Sequence, residues 1–192
     1  MVNRAQPDYA GFVFAPGRRQ VTAEQAENLR RQLDPAIAAV GVFVKAPVEE
    51  AAALANRGTI QLIQLHGEED EAYVKALRER TTAPIIRVIR VRGPESLRDL
   101  DRYDCDYFLL DTYSGSQFGG LGKTFDHSLL RQARFPSPFF LAGGLDADNV
   151  AAAIAGCSPF GVDTSSGIET AGTKDENKIR AFVSAVRKEE ES

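Results

Sequence analysis

Seven short apolar runs punctuate the chain at intervals that leave room for a helix between each pair. They fall at residues 9–14, 39–44, 60–65, 85–91, 107–111, 139–142 and 160–163, and they are rich in Val, Ile and Phe. Runs of this length, bounded by turn residues, predict strands. Most are apolar on both faces, as strands of a parallel sheet covered on both sides must be. The stretches between them have a helical period and recognisable starts. Thr22 is followed by Gln25, the spacing of a capping box. Pro47-Val48-Glu49-Glu50 opens a second helix with Pro in the first turn. Asp126 precedes a helix over 127–132, and Asp146-Ala147-Asp148-Asn149 leads into one over 150–155. The last helix is expected from about Lys174 to Lys188, ending in the solvated tail Glu189-Glu190-Glu191-Ser192.

This alternation predicts an α/β fold of the (β/α)8 TIM-barrel type, in one domain over 1–192. A doubly wound open sheet is the runner-up, although no dinucleotide-binding glycine fingerprint is present. Only seven βα units can be counted, and Val2-Asn3-Arg4-Ala5-Gln6-Pro7 reads as the end of a helix running into a turn. The expectation is therefore an N-terminally truncated barrel that lacks its first strand and most of its first helix. Its two outer strands would have unpaired edges, which invites association into a homodimer.

Composition narrows the function. The 192 residues are 43% hydrophobic and 26% charged, with a net charge of −4 and no basic block. That speaks against a nucleic-acid partner. No apolar run approaches a membrane span and the N-terminus has no signal-peptide core, so no membrane partner is expected. Cys105 and Cys157 form neither a metal-ligand spacing nor a disulfide framework. A reducing cytoplasm is the simplest home, and neither metal nor cofactor is expected.

Barrel enzymes place their chemistry in the loops after the strands. Gly143-Gly144 follows the seventh barrel position and Ser165-Ser166-Gly167 the eighth. Paired small-residue loops there can cradle a phosphate on backbone N–H groups, although Gly and Ser also dominate ordinary turns. Asp111 ends a strand, where partial desolvation would suit a general acid; an Asp that turns the chain is the alternative. Arg19 could clamp a substrate carboxylate in a two-pronged pair or be a solvated surface residue. His66 could touch substrate or bond to a loop, and Asp163 could bind sugar hydroxyls or brace its own turn. Gly119-Gly120-Leu121-Gly122-Lys123-Thr124 fails as a nucleotide P-loop because Gln117 stands where that motif needs glycine. It reads instead as a loop beside the site, with Lys123 near an anionic substrate.

Taken in order, these segments resemble phosphoribosylanthranilate isomerase, a (β/α)8 enzyme of tryptophan biosynthesis. The matching stretches are Gly11-Phe12-Val13-Phe14 with Arg18-Arg19-Gln20-Val21-Thr22, Val40-Gly41-Val42-Phe43-Val44, Gln64-Leu65-His66-Gly67-Glu68 and Leu109-Leu110-Asp111-Thr112. The series continues with Gly119 to Asp126, Ala142-Gly143-Gly144-Leu145 with Asn149-Val150, and Val162 to Glu169. The resemblance implies an Amadori rearrangement of a phosphoribosyl-aminobenzoate without a cofactor. It implies that Asp111 protonates the furanose ring oxygen, that Arg19 holds the anthranilate carboxylate, and that the Gly143–Gly144 and Ser165–Gly167 loops hold the phosphate. It gives His66 and Asp163 supporting places in the site. The family's general base is a cysteine in a Lys-Ile-Cys-Gly type motif on the first strand, and this chain has no such motif. Cys105 and Cys157 should lie at the opposite face of the barrel. Two readings follow: an isomerase whose first βα unit is missing from these residues, or an impaired barrel that only binds a phosphorylated ligand. A third, another barrel acting on phosphorylated sugars, fits the Gln-Leu-His-Gly and Leu-Leu-Asp-Thr segments less well.

Overall fold

A computed structural model of the chain describes residues 1–112, 130 and 133–190. Seven of its strands run parallel in one sheet: β1 (Tyr9–Val13), β2 (Ala38–Phe43), β3 (Leu62–Leu65), β4 (Ile85–Arg90), β5 (Tyr107–Asp111), β6 (Phe139–Ala142) and β7 (Gly161–Val162). Each pairs with the next in chain order. A doubly wound sheet reverses its order at a switch point, and there is none here, so the barrel reading holds.

The two faces of the sheet divide the apolar residues by strict alternation. Val40, Leu62, Ile86, Val88, Leu109, Phe140 and Ala142 cluster on the inner face. Their neighbours Ala39, Ile63, Leu65, Ile85, Phe108, Leu110 and Leu141 face outward and pack under Ala51, Leu54, Val74, Leu77, Val150 and Phe182 of the helices. Phe43, Phe108 and Leu110 are among the side chains with no solvent contact, each worth roughly 1.5–3 kcal/mol of burial.

The sheet is curled. The Tyr9 ring on β1 reaches the Phe140 ring on β6 edge-on, with centroids 5.5 Å apart. Arg187 of the last helix (Glu176–Glu190) donates to both carboxylate oxygens of Asp8, just before β1, at 2.8 Å. Arg4 of the opening helix (Val2–Ala5) pairs with Glu176 at 2.7 Å. These contacts tie the two ends of the sheet together, although β1 and β7 remain its outer strands.

Local signals account for the helices. The Thr22 capping box is present, with Thr22 Oγ1 accepting from the Gln25 amide and Gln25 returning the bond. Pro47 caps Val48–Asn56, and Asp70 caps Glu71–Arg78 by accepting from the Tyr73 amide. The expected helix over 150–155 spans Val150–Cys157. The opening helix ends at Gln6, whose left-handed φ of 51° stops it.

Three expectations are corrected. Lys174 is not helical: it lies on β9 (Thr173–Lys174), antiparallel to β8 (Glu169–Thr170), and the last helix starts at Glu176. Asp175 stops the helix there by accepting from the Asn177 amide at 2.9 Å. The run at 160–163 shortens to Gly161–Val162, because its ladder has a neighbour on one side only. Between β4 and β5 the connection is two short 3-10 turns, Pro94–Leu97 and Leu100–Arg102, in place of an α-helix. Pro94 and the left-handed Asp99 (φ 54°) interrupt any longer helix. Apart from Leu130, which is helical and buried, Asp126 and the expected helix over 127–132 lie outside the described residues, as do Gly119 to Thr124 with Lys123.

Candidate active site

Alternation along a strand sends every second side chain inward, and the last inward residue of a barrel strand meets the mouth. On β5 the inward Leu109 puts Asp111 in that position. On β3, Gln64 sits below His66, and its amide nitrogen lies 3.0 Å from His66 Nδ1. An amide N–H can only donate, so the neutral ring keeps its proton on Nε2. Burial holds the His66 pKa below its ordinary value, against the pull of the Asp111 and Asp163 carboxylates. His66 is therefore neutral at pH 7.

One cavity of about 1440 Å³ is lined by Arg19, His66, Asp111, Gly143, Gly144, Asp163, Ser165 and Ser166. Eight of the nine candidate site residues that lie among the described residues thus share one space. It opens at the C-terminal ends of the strands and continues between β1 and β7 to Phe160, Ile179 and Phe182. Asp163 is exposed to solvent in this opening, and the protein atoms crowded around it raise its pKa, opposed by His66 and Lys174.

Gly167 is the exception. It does not line the cavity, and a Cβ there would lie 1.9 Å from the Leu145 carbonyl oxygen. Thr164 Oγ1 donates to the same carbonyl at 2.6 Å. Gly167 therefore lets the turn after β7 press against the turn after β6. The Gly143–Gly144 turn needs its glycines for conformation, with φ of 107° and 69°. Asn149 braces it by donating to the Gly144 carbonyl at 3.0 Å.

Arg19 is at the cavity wall, but its guanidinium is not a free surface group. Nε and Nη2 donate to the two oxygens of Glu169 at 2.8 and 3.0 Å. Arg18 and Lys174 join the same carboxylate at 3.0 and 3.1 Å. Hydrogen bonds from Arg19 first, then from Arg18 and Lys174, hold the Glu169 pKa far below its ordinary value. Lys174 also lines the cavity and donates to the Ser165 carbonyl at 2.7 Å. Arg18, Lys174 and Glu169 were not found as a group from the sequence. Their signal is long-range, since the β8–β9 hairpin has no apolar run to announce it.

A second hollow of about 540 Å³, between Phe135–Phe139 and Ser158–Phe160, lies at the other end of the strands and has no titratable lining residue. Among the described residues no three His, Cys, Asp or Glu stand together as metal ligands, and no helix is long and apolar enough to cross a membrane.

The family model for N-(5'-phosphoribosyl)anthranilate (PRA) isomerase matches residues 1–185. The chain belongs to the phosphoribosylanthranilate isomerase family. A relative from Lachnoclostridium phytofermentans, named N-(5'-phosphoribosyl)anthranilate isomerase, is 43% identical over 196 residues, covering 96% of this chain and 90% of that protein. The crystal structure of phosphoribosyl anthranilate isomerase from Thermotoga maritima superposes with a TM-score of 0.83 at 34% identity, over 96% of this chain and 90% of that one. Another isomerase structure, in complex with reduced 1-(o-carboxyphenylamino)-1-deoxyribulose 5-phosphate, gives a TM-score of 0.79 at 31% identity over the same shares.

Both cysteines lie away from the cavity. Cys105 precedes β5 and Cys157 ends the helix before β7, so both lie toward the N-terminal ends of the strands. Both are buried and neither lines the cavity. Burial pushes the Cys105 thiol up to about 12.

Proposed function

We propose that the cavity takes N-(5-phosphoribosyl)anthranilate and that the chain's activity is its Amadori rearrangement to 1-(2-carboxyphenylamino)-1-deoxyribulose 5-phosphate, an isomerisation in tryptophan biosynthesis. The observation that carries this is the meeting of Arg19, Asp111 and the Gly143–Gly144 and Ser165–Ser166 turns around one cavity in a chain of this family. The two glycines and two serines offer backbone N–H groups and hydroxyls to a phosphate, with Lys174 adding positive charge. Arg19 takes the anthranilate carboxylate on the Nη1–Nη2 edge that Glu169 leaves open.

Asp111 gives its proton to the furanose ring oxygen. The C1–O bond breaks as the anthranilate nitrogen lone pair forms a C1=N bond. A base then takes the C2 proton, the resulting enolamine is protonated at C1, and the ketose forms. Neutral His66, with Nε2–H toward the cavity, and Asp163 hold sugar hydroxyls in this reading. No cofactor enters. We place the chain as one domain in the cytoplasm, where Cys105 and Cys157 stay reduced. A homodimer would cover the outer strands β1 and β7, beside which Phe160 is 53% exposed.

A second reading follows from the cysteines. With Cys105 and Cys157 outside the cavity, these 192 residues supply no thiolate base at the site, and the chain would bind the phosphorylated ligand with turnover impaired about 10²–10⁴-fold. Following the fluorescence of N-(5-phosphoribosyl)anthranilate with the full chain, alongside calorimetric binding of the reduced product analogue, separates the two. Turnover abolished by Asp111→Asn supports the isomerase. Tight analogue binding with no turnover supports the binder. Absence of both removes the site.

A further inference from the structure

Glu169 belongs to neither end of the proposed substrate, and it does not line the cavity. Its carboxylate is nevertheless the meeting point of three cations from two separate segments. Arg18 and Arg19 come from the turn after β1, some 150 residues earlier in the chain, and Lys174 comes from β9. The side chain is only 8% exposed. That is a built arrangement, because three surface cations do not converge on a screened carboxylate for the small energy of exposed pairs.

The bonds have direction. Glu169 occupies the Nε and Nη2 side of Arg19, and among the described residues Nη1 has no hydrogen-bond partner. A guanidinium held along one side presents its end edge in a fixed direction, here at the cavity wall. On the other side of the carboxylate, Lys174 spans from Glu169 Oε1 at 3.1 Å to the Ser165 carbonyl at 2.7 Å. The Glu169 backbone is itself pinned, its carbonyl accepting from Lys178 of the last helix at 2.8 Å. Arg18 completes the bridge by donating to the Gly172 carbonyl in the β8–β9 turn.

We propose that Glu169 is a positioning residue that couples the two ends of the substrate site. Through Arg19 it aims the carboxylate clamp, and through Lys174 it holds the Ser165 turn of the phosphate cradle at a set distance from that clamp. Clamp and cradle follow β1 and β7, which do not pair with each other among the described residues, and the ion cluster links the two. This rests on the reading of Arg19 and Ser165 as substrate contacts.

The test is calorimetric binding to the full chain, which does not depend on turnover. The probes are inorganic phosphate and reduced 1-(o-carboxyphenylamino)-1-deoxyribulose 5-phosphate. Glu169→Gln should weaken the analogue by about tenfold or more and weaken phosphate as well. Arg19→Gln should weaken the analogue and leave phosphate unchanged. In the Glu169→Gln background, Arg19→Gln should weaken the analogue less than in the parent, because the clamp is already misaimed. A merely structural role would lower the melting temperature without producing that coupling. If Glu169→Gln does not fold, Glu169→Asp carries the test: its carboxylate, drawn back by one methylene, should weaken the analogue and phosphate together, and unchanged affinity for both overturns the coupling. Unchanged or tighter analogue binding in folded Glu169→Gln also overturns it. If Arg19→Gln still weakens the analogue in that case, the site reading survives alone. If Arg19→Gln changes nothing, the site reading is what fails.

Discussion

Tyr9 and Phe140 meet edge-to-face with their rings at 88° and 5.5 Å, although one opens the first strand and the other lies on the sixth. The contact shows how far the sheet curls, since strands five apart in a flat sheet would stand more than ~20 Å apart. Phe140 also touches Tyr107 and Phe160, so one ring gathers β1, β5, β6 and the approach to β7.

Phe140→Ala should therefore lower the unfolding free energy by about 3 kcal/mol, at the lower end of the range for a buried Phe because its cluster already borders a cavity. Tyr9→Phe, which keeps the ring and is 36% exposed, should change it by less than about 0.5 kcal/mol. Urea denaturation of both variants checks this. Similar small losses for the two would mean that the curl does not depend on the ring cluster.

Gly167→Ala and Gly144→Ala should differ in kind. At 167 the added methyl meets the Leu145 carbonyl at 1.9 Å, and a backbone atom must move. At 144 the methyl meets the strain of φ 69°, about 1–2 kcal/mol. Melting temperatures should fall further for Gly167→Ala, and its phosphate affinity should drop because the Ser165–Ser166 turn is displaced. A Gly144→Ala variant that is the less stable of the two contradicts this packing.

The Glu169 cluster sets an acid limit. Its cations hold the folded carboxyl below the ordinary 4.5, so on acidification the unfolded chain takes up the proton first. The stabilisation is fully present above about pH 4.5 and is lost as pH falls below it. Stability of the parent minus that of Glu169→Gln, measured in urea from pH 7 to 3, should be largest at neutral pH and shrink through this window. A difference that is constant with pH would rule out the ion cluster as its source.

The cysteines should be silent. With Cys105 buried and its thiol pushed up to about 12, a thiol reagent should label the folded chain far more slowly than the urea-unfolded chain. Ser at both 105 and 157 should leave analogue binding unchanged, as should any turnover the chain has. Rapid native labelling, or lost binding in a stable double variant, would place a cysteine at the site.

Much of this molecule can be read from residue order alone. The seven strands, the Thr22 capping box, the glycine turn at 143–144 and the place of Asp111 at a strand end all follow from short-range rules. Side-chain period reports which face is buried, and caps and turns are satisfied within a few residues. Family order then pointed to the chemistry. What residue order could not show is what Arg19 holds. Its partner is 150 residues away, on a hairpin of two-residue strands too short to have a period, and the pair forms only once the sheet has curled. The same closure brings Tyr9 to Phe140 and makes Gly167 a packing contact in place of a cavity wall. Local geometry sets each strand and turn, whereas these contacts depend on distances between strands, which exist only when all seven are in place.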